Sequence, residues 1–256
     1  MEGSSYCLDK CLEEALIDAL GRVRAAVKIK PASHRIPLGL LLLSRQQLTV
    51  DQLRAALAAQ RTAGRGRIGD WLQTMGFVSE LQVTAALARQ WSCPVLRGNV
   101  LSPNFSRAPQ IPVTLLESFV MVPVDYIEAT ATLHIAFGDR IDYSVLYAIE
   151  QMLGCRTEPC MAVPSLLRKK LELLSEHRGE REVVFDRMAD TAEFARIIRS
   201  YSVRISASEI RLASCGSHVW VRLLRSSRPP LDLLLGSRPE AVGQPHPVWP
   251  TAISFA

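Results

Sequence analysis

The chain has 256 residues, 48% hydrophobic and 21% charged, with a formal net charge of +5. That much apolar material excludes global disorder, and the length is that of one or two domains. The longest apolar run, residues 36–43, is broken by Pro37 and Gly39 and is far short of the roughly 20 residues a membrane span needs, so no span is expected.

Residues 7–28 carry apolar positions at helical spacing, from Leu8 through Leu12, Leu16 and Leu20 to Val23, and predict an amphipathic helix. A linker at 28–33 follows, within which Pro31 ends the helical pattern. The start of the chain has acids among its apolar residues and no basic head, which is not the pattern of a secretory signal. Next comes an internal repeat. Aligning 35–60 on 65–90 leaves nine of 26 positions identical: Arg35/Arg65, Gly39/Gly69, Leu42/Leu72, Gln52/Gln82, Ala55/Ala85, Ala56/Ala86, Leu57/Leu87, Ala58/Ala88 and Gln60/Gln90. Each copy reads as a short helix starting at Leu38-Gly39 or Ile68-Gly69, then a longer one at 50–60 or 80–91. Thr49…Gln52 and Ser79…Gln82 are capping boxes for the longer helices. Gly76 suits a left-handed stop after the short helix.

After a loop at 97–110, the texture becomes α-β-β-α-β-α. The predicted elements are a helix at 112–119, strands at 120–127 and 131–137, a helix at 142–153 stopped by Gly154, a strand at 156–163 and a helix at 164–175. Residues 176–182 read as a charged linker. A helix at 190–205 and strands near 208–214, 218–225 and 231–235 follow, and the proline-rich tail reads as mobile. The fold class is α+β: an N-terminal helical tandem repeat, a small α-β-β-α-β-α sandwich and a smaller C-terminal α+β domain. The expected domain limits are 1–30 for the N-terminal helix, 35–96 for the repeat, 97–175 for the sandwich, 183–236 for the C-terminal domain and 237–256 for the tail.

Charge and chemistry narrow the function. Residues 35–90 hold seven arginines against Asp51, Asp70 and Glu80, a net of +4. A local arginine excess suits a small anionic ligand. It is not the broad basic face of a protein that binds a nucleic-acid polymer. A P-loop needs a lysine after glycine, and none of the five lysines follows one. The six cysteines contain no C-x2-C pair and no histidine beside a pair, so no metal site is expected, and reduced thiols suit a cytoplasmic protein. Asp125, Glu128 and Asp139 read as solvated turn acids, His134 as a satisfied sheet histidine, and Phe185 and Trp220 as core or interface. No arrangement of nucleophile and base emerges, and no enzyme is expected.

The repeat suggests two half-sites. A glycine in the first turn of each short helix lets an anion approach backbone N–H groups, with Arg35, Arg65 and Arg67 just upstream. Leu38, Leu42, Ile68 and Leu72 are placed to cover flat bases, so a twofold ligand with two phosphates fits. Equally, the glycines and leucines are what a packed helical repeat requires.

The doubled pattern R-[L/I]-G-x2-L-x3-G-x-[I/V]…L-x3-L-x2-Q resembles the N-terminal (MshEN-type) module of type II secretion and type IV pilus assembly ATPases. The likeness spans 35–175 and lacks the ATPase domain. The second copy matches at Arg67-Ile68-Gly69, Leu72, Gly76, Val78, Val83, Leu87 and Gln90. The first has Pro37 where the pattern has arginine. The resemblance implies cyclic di-GMP as a possible ligand, secretion or pilus assembly proteins as partners, and no cofactor. It puts Arg67 on phosphate or guanine, Gly39 and Gly69 at the phosphates and Leu42 and Leu72 against bases. Gln60 and Gln90 contact base edges or brace the motif, and Arg35 stands in for the missing arginine. The alternative is a ligand-free interaction module of the same machinery.

Overall fold

A computed structural model describes residues 4–5, 9–25, 35–96, 110–176, 181–188, 190–216, 218–226, 228–237 and 251–254. The repeat forms four helices: α2 (Leu38–Ser44), α3 (Val50–Ala63), α4 (Ile68–Thr74) and α5 (Glu80–Trp91). Both capping boxes are made. The Gln52 N–H donates to Thr49 Oγ1 at 3.2 Å while the Thr49 N–H donates to Gln52 Oε1 at 2.9 Å. The second copy has 3.2 and 2.7 Å for the same bonds between Gln82 and Ser79. Helix α3 runs three residues beyond the expected 60, to a left-handed Gly64. The left-handed residue at φ 70° after α4 is Gly76, and Gln46 holds the matching position of the first copy at φ 56°. Across the copies, α2 packs on α5 and α3 on α4, around a core of Leu38, Leu42, Leu48, Ala56, Leu72, Val78, Val83 and Ala86.

The sandwich follows in the expected order: α6 (Val113–Ser118), β2 (Met121–Ile127), β3 (Thr132–Phe137), α7 (Tyr143–Leu153), β4 (Arg156–Met161) and α8 (Pro164–Glu176). Strand β3 is central, antiparallel to β2 and parallel to β4. Asp142 caps α7 by accepting from the Ser144 N–H at 3.0 Å, and left-handed Gly154 ends it. His134 stands on the sheet face with Nε2 3.1 Å from Glu158 Oε2.

The C-terminal region is larger than the sequence suggests. Its sheet joins β5 (Glu182–Met188), β6 (Glu209–Cys215), β7 (His218–Leu224), β8 (Leu231–Ser237), β9 (Thr251–Ser254) and β1 (Ser4–Ser5) in the order β1-β9-β6-β7-β8-β5. Two expectations are corrected. Glu182, assigned to a linker, begins a strand parallel to β8. Residues 251–254, assigned to a mobile tail, pair with β6; residues 238–250 lie outside the described ones. The N-terminal helix α1 (Asp9–Ala25) is not a separate part. Its Leu12, Leu16, Leu20 and Val23 share a core with Phe194, Ala195 and Ile198 of α9 (Thr191–Ile205), over one face of this sheet. The two-residue alternation of a strand explains how both faces are used. Val219, Val221 and Leu223 face α1 and α9, while Trp220 joins the sandwich core with Ala213, Cys215 and Leu234.

Polar groups stitch that second face. Arg222 and Asp232 stand opposite each other on β7 and β8 and are 5% and 6% exposed. The carboxylate of Asp232 accepts from Arg222 Nε at 2.8 Å, Arg222 Nη2 at 2.7 Å and Trp220 Nε1 at 2.8 Å, and Arg222 Nη2 also reaches Gln110 O at 2.6 Å. Glu182 accepts the free N–H groups of Val113 and Thr114 at the start of α6, at 2.8 and 3.1 Å.

Candidate functional site

Between the second repeat copy and the sandwich lies a cleft of about 470 Å³, a size usual for small-ligand sites. Of the sequence-predicted residues it gathers Leu38, Arg67, Ile68, Gly69 and Gln90. Arg35, Gly39, Leu42, Gln60, Arg65 and Leu72 are not in its lining. The opposite wall brings Asp139, in the turn after β3, and Arg168, on α8. Neither was singled out as a site residue by the sequence, because each shares the cleft with Arg67 only through tertiary packing.

Arg67 is the N-cap residue of α4, and its backbone N–H donates to Asp70 Oδ2 at 3.3 Å. Its guanidinium Nη1 lies 3.0 Å from Asp139 Oδ2. Asp139 is therefore not merely a solvated turn acid but a partner across the cleft. The pair is open, with Arg67 59% and Asp139 34% exposed. Such pairs contribute at most about 1 kcal/mol, so an anion of comparable charge competes for Arg67 on near-equal terms. Glu80 also lines the cleft. Its two carboxylate oxygens accept from the Ser165 N–H at 2.8 Å and the Ser165 hydroxyl at 2.7 Å, at the start of α8.

The glycines have a packing reason. A Cβ on Gly39 would stand 2.8 Å from Leu53 Cδ1, and one on Gly69 would be 3.2 Å from Leu38 and 3.3 Å from Val83. Both glycines let a long helix seat on a short one, so the open approach for an anion expected at their Cα atoms is taken up by side chains. Leu42 and Leu72 are fully buried; their place is the repeat core and not a base face. Gln60 and Gln90 are braces. Gln60 Nε2 donates to Gly66 O at 2.9 Å, and Gln90 Nε2 donates to Ile36 O at 2.7 Å. Gly66 and Ile36 occupy equivalent positions, one residue before Arg67 and Pro37, so each copy's long helix holds the lead-in to the other's short helix. Gly66 needs to be glycine: its φ is +82°, and a Cβ there would meet Trp71 Nε1 at 3.0 Å. That indole N–H donates to Arg65 O at 3.1 Å, which fixes Arg65 by its backbone.

The first copy has no matching guanidinium. Pro37 is the N-cap of α2, and Arg35 lies flat on Trp91, its Cζ 3.3 Å from the ring centroid. Arg35 therefore fastens the first copy to the end of α5 and does not stand in for the missing arginine at the cleft.

No described group of side chains is arranged to hold a metal ion, and no described helix is long and apolar enough to cross a membrane. Cys11, Cys93, Cys155, Cys160 and Cys215 are free thiols. Burial pushes Cys155 and Cys160 up to about 11, with Glu150 adding to the shift for the first and Cys93 for the second. Burial also raises Cys93 and Cys215. Thiolate is the reactive form, so at pH 8 a thiol reagent is expected to label exposed Cys11 and leave Cys155, Cys160 and Cys215 unmodified until the chain is unfolded. Rapid native labelling at any of these three, read by peptide mass mapping, would contradict their burial. Because the folded state holds these protons more tightly, the associated stability is complete below the ordinary value of 9.0 and declines as pH rises toward about 11.

No family model and no curated protein sequence matches the chain. Among solved structures it is similar to MshE with cyclic di-GMP, at 30% identity over 54% of this chain and 99% of that one, with a TM-score of 0.45. It is also similar to the N-terminal domain of XpsE in two crystal forms. Both are 20% identical over 53% of this chain and cover 91% and 92% of those chains, with TM-scores of 0.42 and 0.33.

Proposed function

We propose, from the premise that about half of this chain belongs to the family of MshE-type N-terminal domains, that it is a cyclic-di-GMP-responsive regulatory or adaptor module of type II secretion or type IV pilus machinery, without catalysis of its own. The premise rests on 30% identity along 99% of the MshE chain and on the doubled glycine-leucine-glutamine pattern of residues 35–90. The observation that carries the ligand reading is Arg67: the second copy places its guanidinium on a cleft lined also by Gln90 and Ile68, with a half-exposed carboxylate as its partner. A phosphate offers that guanidinium a bidentate partner of the kind arginine prefers. Leu38 and Ile68 supply apolar contact on the same wall, and the Gln60 and Gln90 braces hold the two short helices in register.

Calorimetric titration of the full chain with cyclic di-GMP tests the reading. Binding is expected for the native chain, and Arg67→Ala is expected to weaken it by about 1.5–3 kcal/mol, the range for one charge-assisted contact. Absence of heat at ligand concentrations of about 100 µM, where even weak specific binding registers, would overturn it.

Pro37 favours a second reading. With proline in the place of the first arginine and Arg35 spent on Trp91, the module would serve as a ligand-free interaction domain of the same machinery. That reading expects Arg67→Ala to leave capture of a secretion or pilus partner unchanged and cyclic di-GMP to have no effect on it.

A further inference from the structure

We propose that the sandwich contributes two functional residues to the cleft: Arg168 as a second cation for a phosphate-bearing ligand, and Asp139 as the group that the phosphate displaces from Arg67. The inference rests on the reading of this cleft as a phosphate site, and names how that site is completed and gated.

Two of the carboxylates on the cleft are already committed. Both Glu80 oxygens hold Ser165. Asp70 accepts the Arg67 backbone N–H at the start of α4. Asp139 is different: its one polar partner among the described residues is the Arg67 guanidinium. The turn that carries it is held firmly. The Gly138 N–H donates to Val120 O at 3.0 Å, and a Cβ on Gly138 would lie 3.1 Å from Val120 and 3.5 Å from both Leu167 and Pro164. Asp139 is thus presented by a turn packed against Val120, Leu167 and Pro164, while its side chain and that of Arg67 remain partly open to solvent.

Arg168 faces the same cleft from α8 and is exposed. Among the described residues it has no hydrogen bond or ion pair. An unengaged guanidinium across a cleft from a weakly engaged one is an arrangement for a shared anion. A phosphate between them gains two cations where Asp139 has one, and is repelled by Asp139 until that carboxylate turns away. The exchange replaces a direct contact between repeat and sandwich by one that runs through the ligand. Selectivity follows from the same geometry: an anion that reaches both guanidiniums outcompetes Asp139, while one that reaches Arg67 alone competes with it on near-equal terms.

Full-length protein, Asp139→Asn and Arg168→Ala are titrated with two probes, cyclic di-GMP and inorganic pyrophosphate. Asp139→Asn is expected to bind both about threefold to tenfold more tightly, and Arg168→Ala about tenfold more weakly, with melting curves confirming that each variant folds. If the native chain binds cyclic di-GMP and neither substitution shifts the affinity, the inference is overturned and the ligand reading stands. If cyclic di-GMP is silent on every variant while pyrophosphate follows the expected order, the cleft site stands and the cyclic-di-GMP reading fails. Silence of both probes on all three proteins overturns both.

Discussion

Asp232→Ala is expected to lower the stability of the chain by about 3–5 kcal/mol, the cost of stranding one member of a buried ion pair. Its carboxylate receives three short hydrogen bonds, two from Arg222 and one from the Trp220 indole. Removing it leaves a guanidinium 5% exposed and an indole N–H fully buried without their acceptor. Arg222 retains Gln110 O at 2.6 Å, which satisfies one N–H and none of the charge. The pair sits where the C-terminal sheet docks on the sandwich, so the loss falls on the joint as well as on the sheet. Asp232→Asn keeps an acceptor and is expected to fall between the native chain and alanine. A simultaneous replacement of Arg222 by Met and Asp232 by Leu removes both charges and is expected to recover most of the loss, since a hydrophobic pair of similar volume avoids their desolvation. Urea denaturation followed by tryptophan fluorescence reads all three. A loss below about 1 kcal/mol for Asp232→Ala would mean that water reaches the pair and that the joint is open.

How much of this molecule was legible in its sequence depended on the range of the interaction. The capping boxes at Thr49 and Ser79, the left-handed residues at Gly76 and Gly154 and the α-β-β-α-β-α order all rest on neighbours within a few positions, and local chemistry determines them. The sheet joining Ser4–Ser5 to Thr251–Ser254, and Glu182–Met188 to Leu231–Ser237, pairs segments far apart in the chain. Nothing local marks the partner of a parallel strand, and the charged start of β5 reads as linker. For the same reason α1 could be recognised as amphipathic while the surface it covers, β6 and α9, could not.

The site shows the same division. Arg67 and Gln90 were visible because the repeat sets them out. Asp139 and Arg168 were not, because they share a cleft with Arg67 only once the repeat docks on the sandwich. The glycines were visible as a pattern, yet the pattern suits two physical causes: approach of an anion, or approach of another helix. The distances from Gly39 to Leu53 and from Gly69 to Val83 decide for the second. The glutamines offered the same choice, and the bonds to Gly66 and Ile36 make them braces.

Leu72→Ala brings that ambiguity to a measurement, and is expected to cost about 2–5 kcal/mol, the usual range for truncating a buried leucine. Leu72 is fully buried beside Leu42, Val78 and Val83 in the small core of the repeat. Helices α2 and α4 have seven residues each, too few to be stable without tertiary packing. A cavity between them is therefore expected to loosen all four helices of the repeat, visible as lost helical circular dichroism and a lower melting temperature in ligand-free protein. Arg67→Ala, on an exposed side chain, is expected to leave both signals unchanged while removing the ligand contact proposed for it. The two substitutions separate because one acts through the core and the other at the cleft. If Leu72→Ala instead kept native helicity and melting behaviour and lost only its response to cyclic di-GMP, Leu72 would lie against the ligand. The packing of α4 against α2 and α5 would then differ from the arrangement in which Gly69 is closed over by Leu38 and Val83.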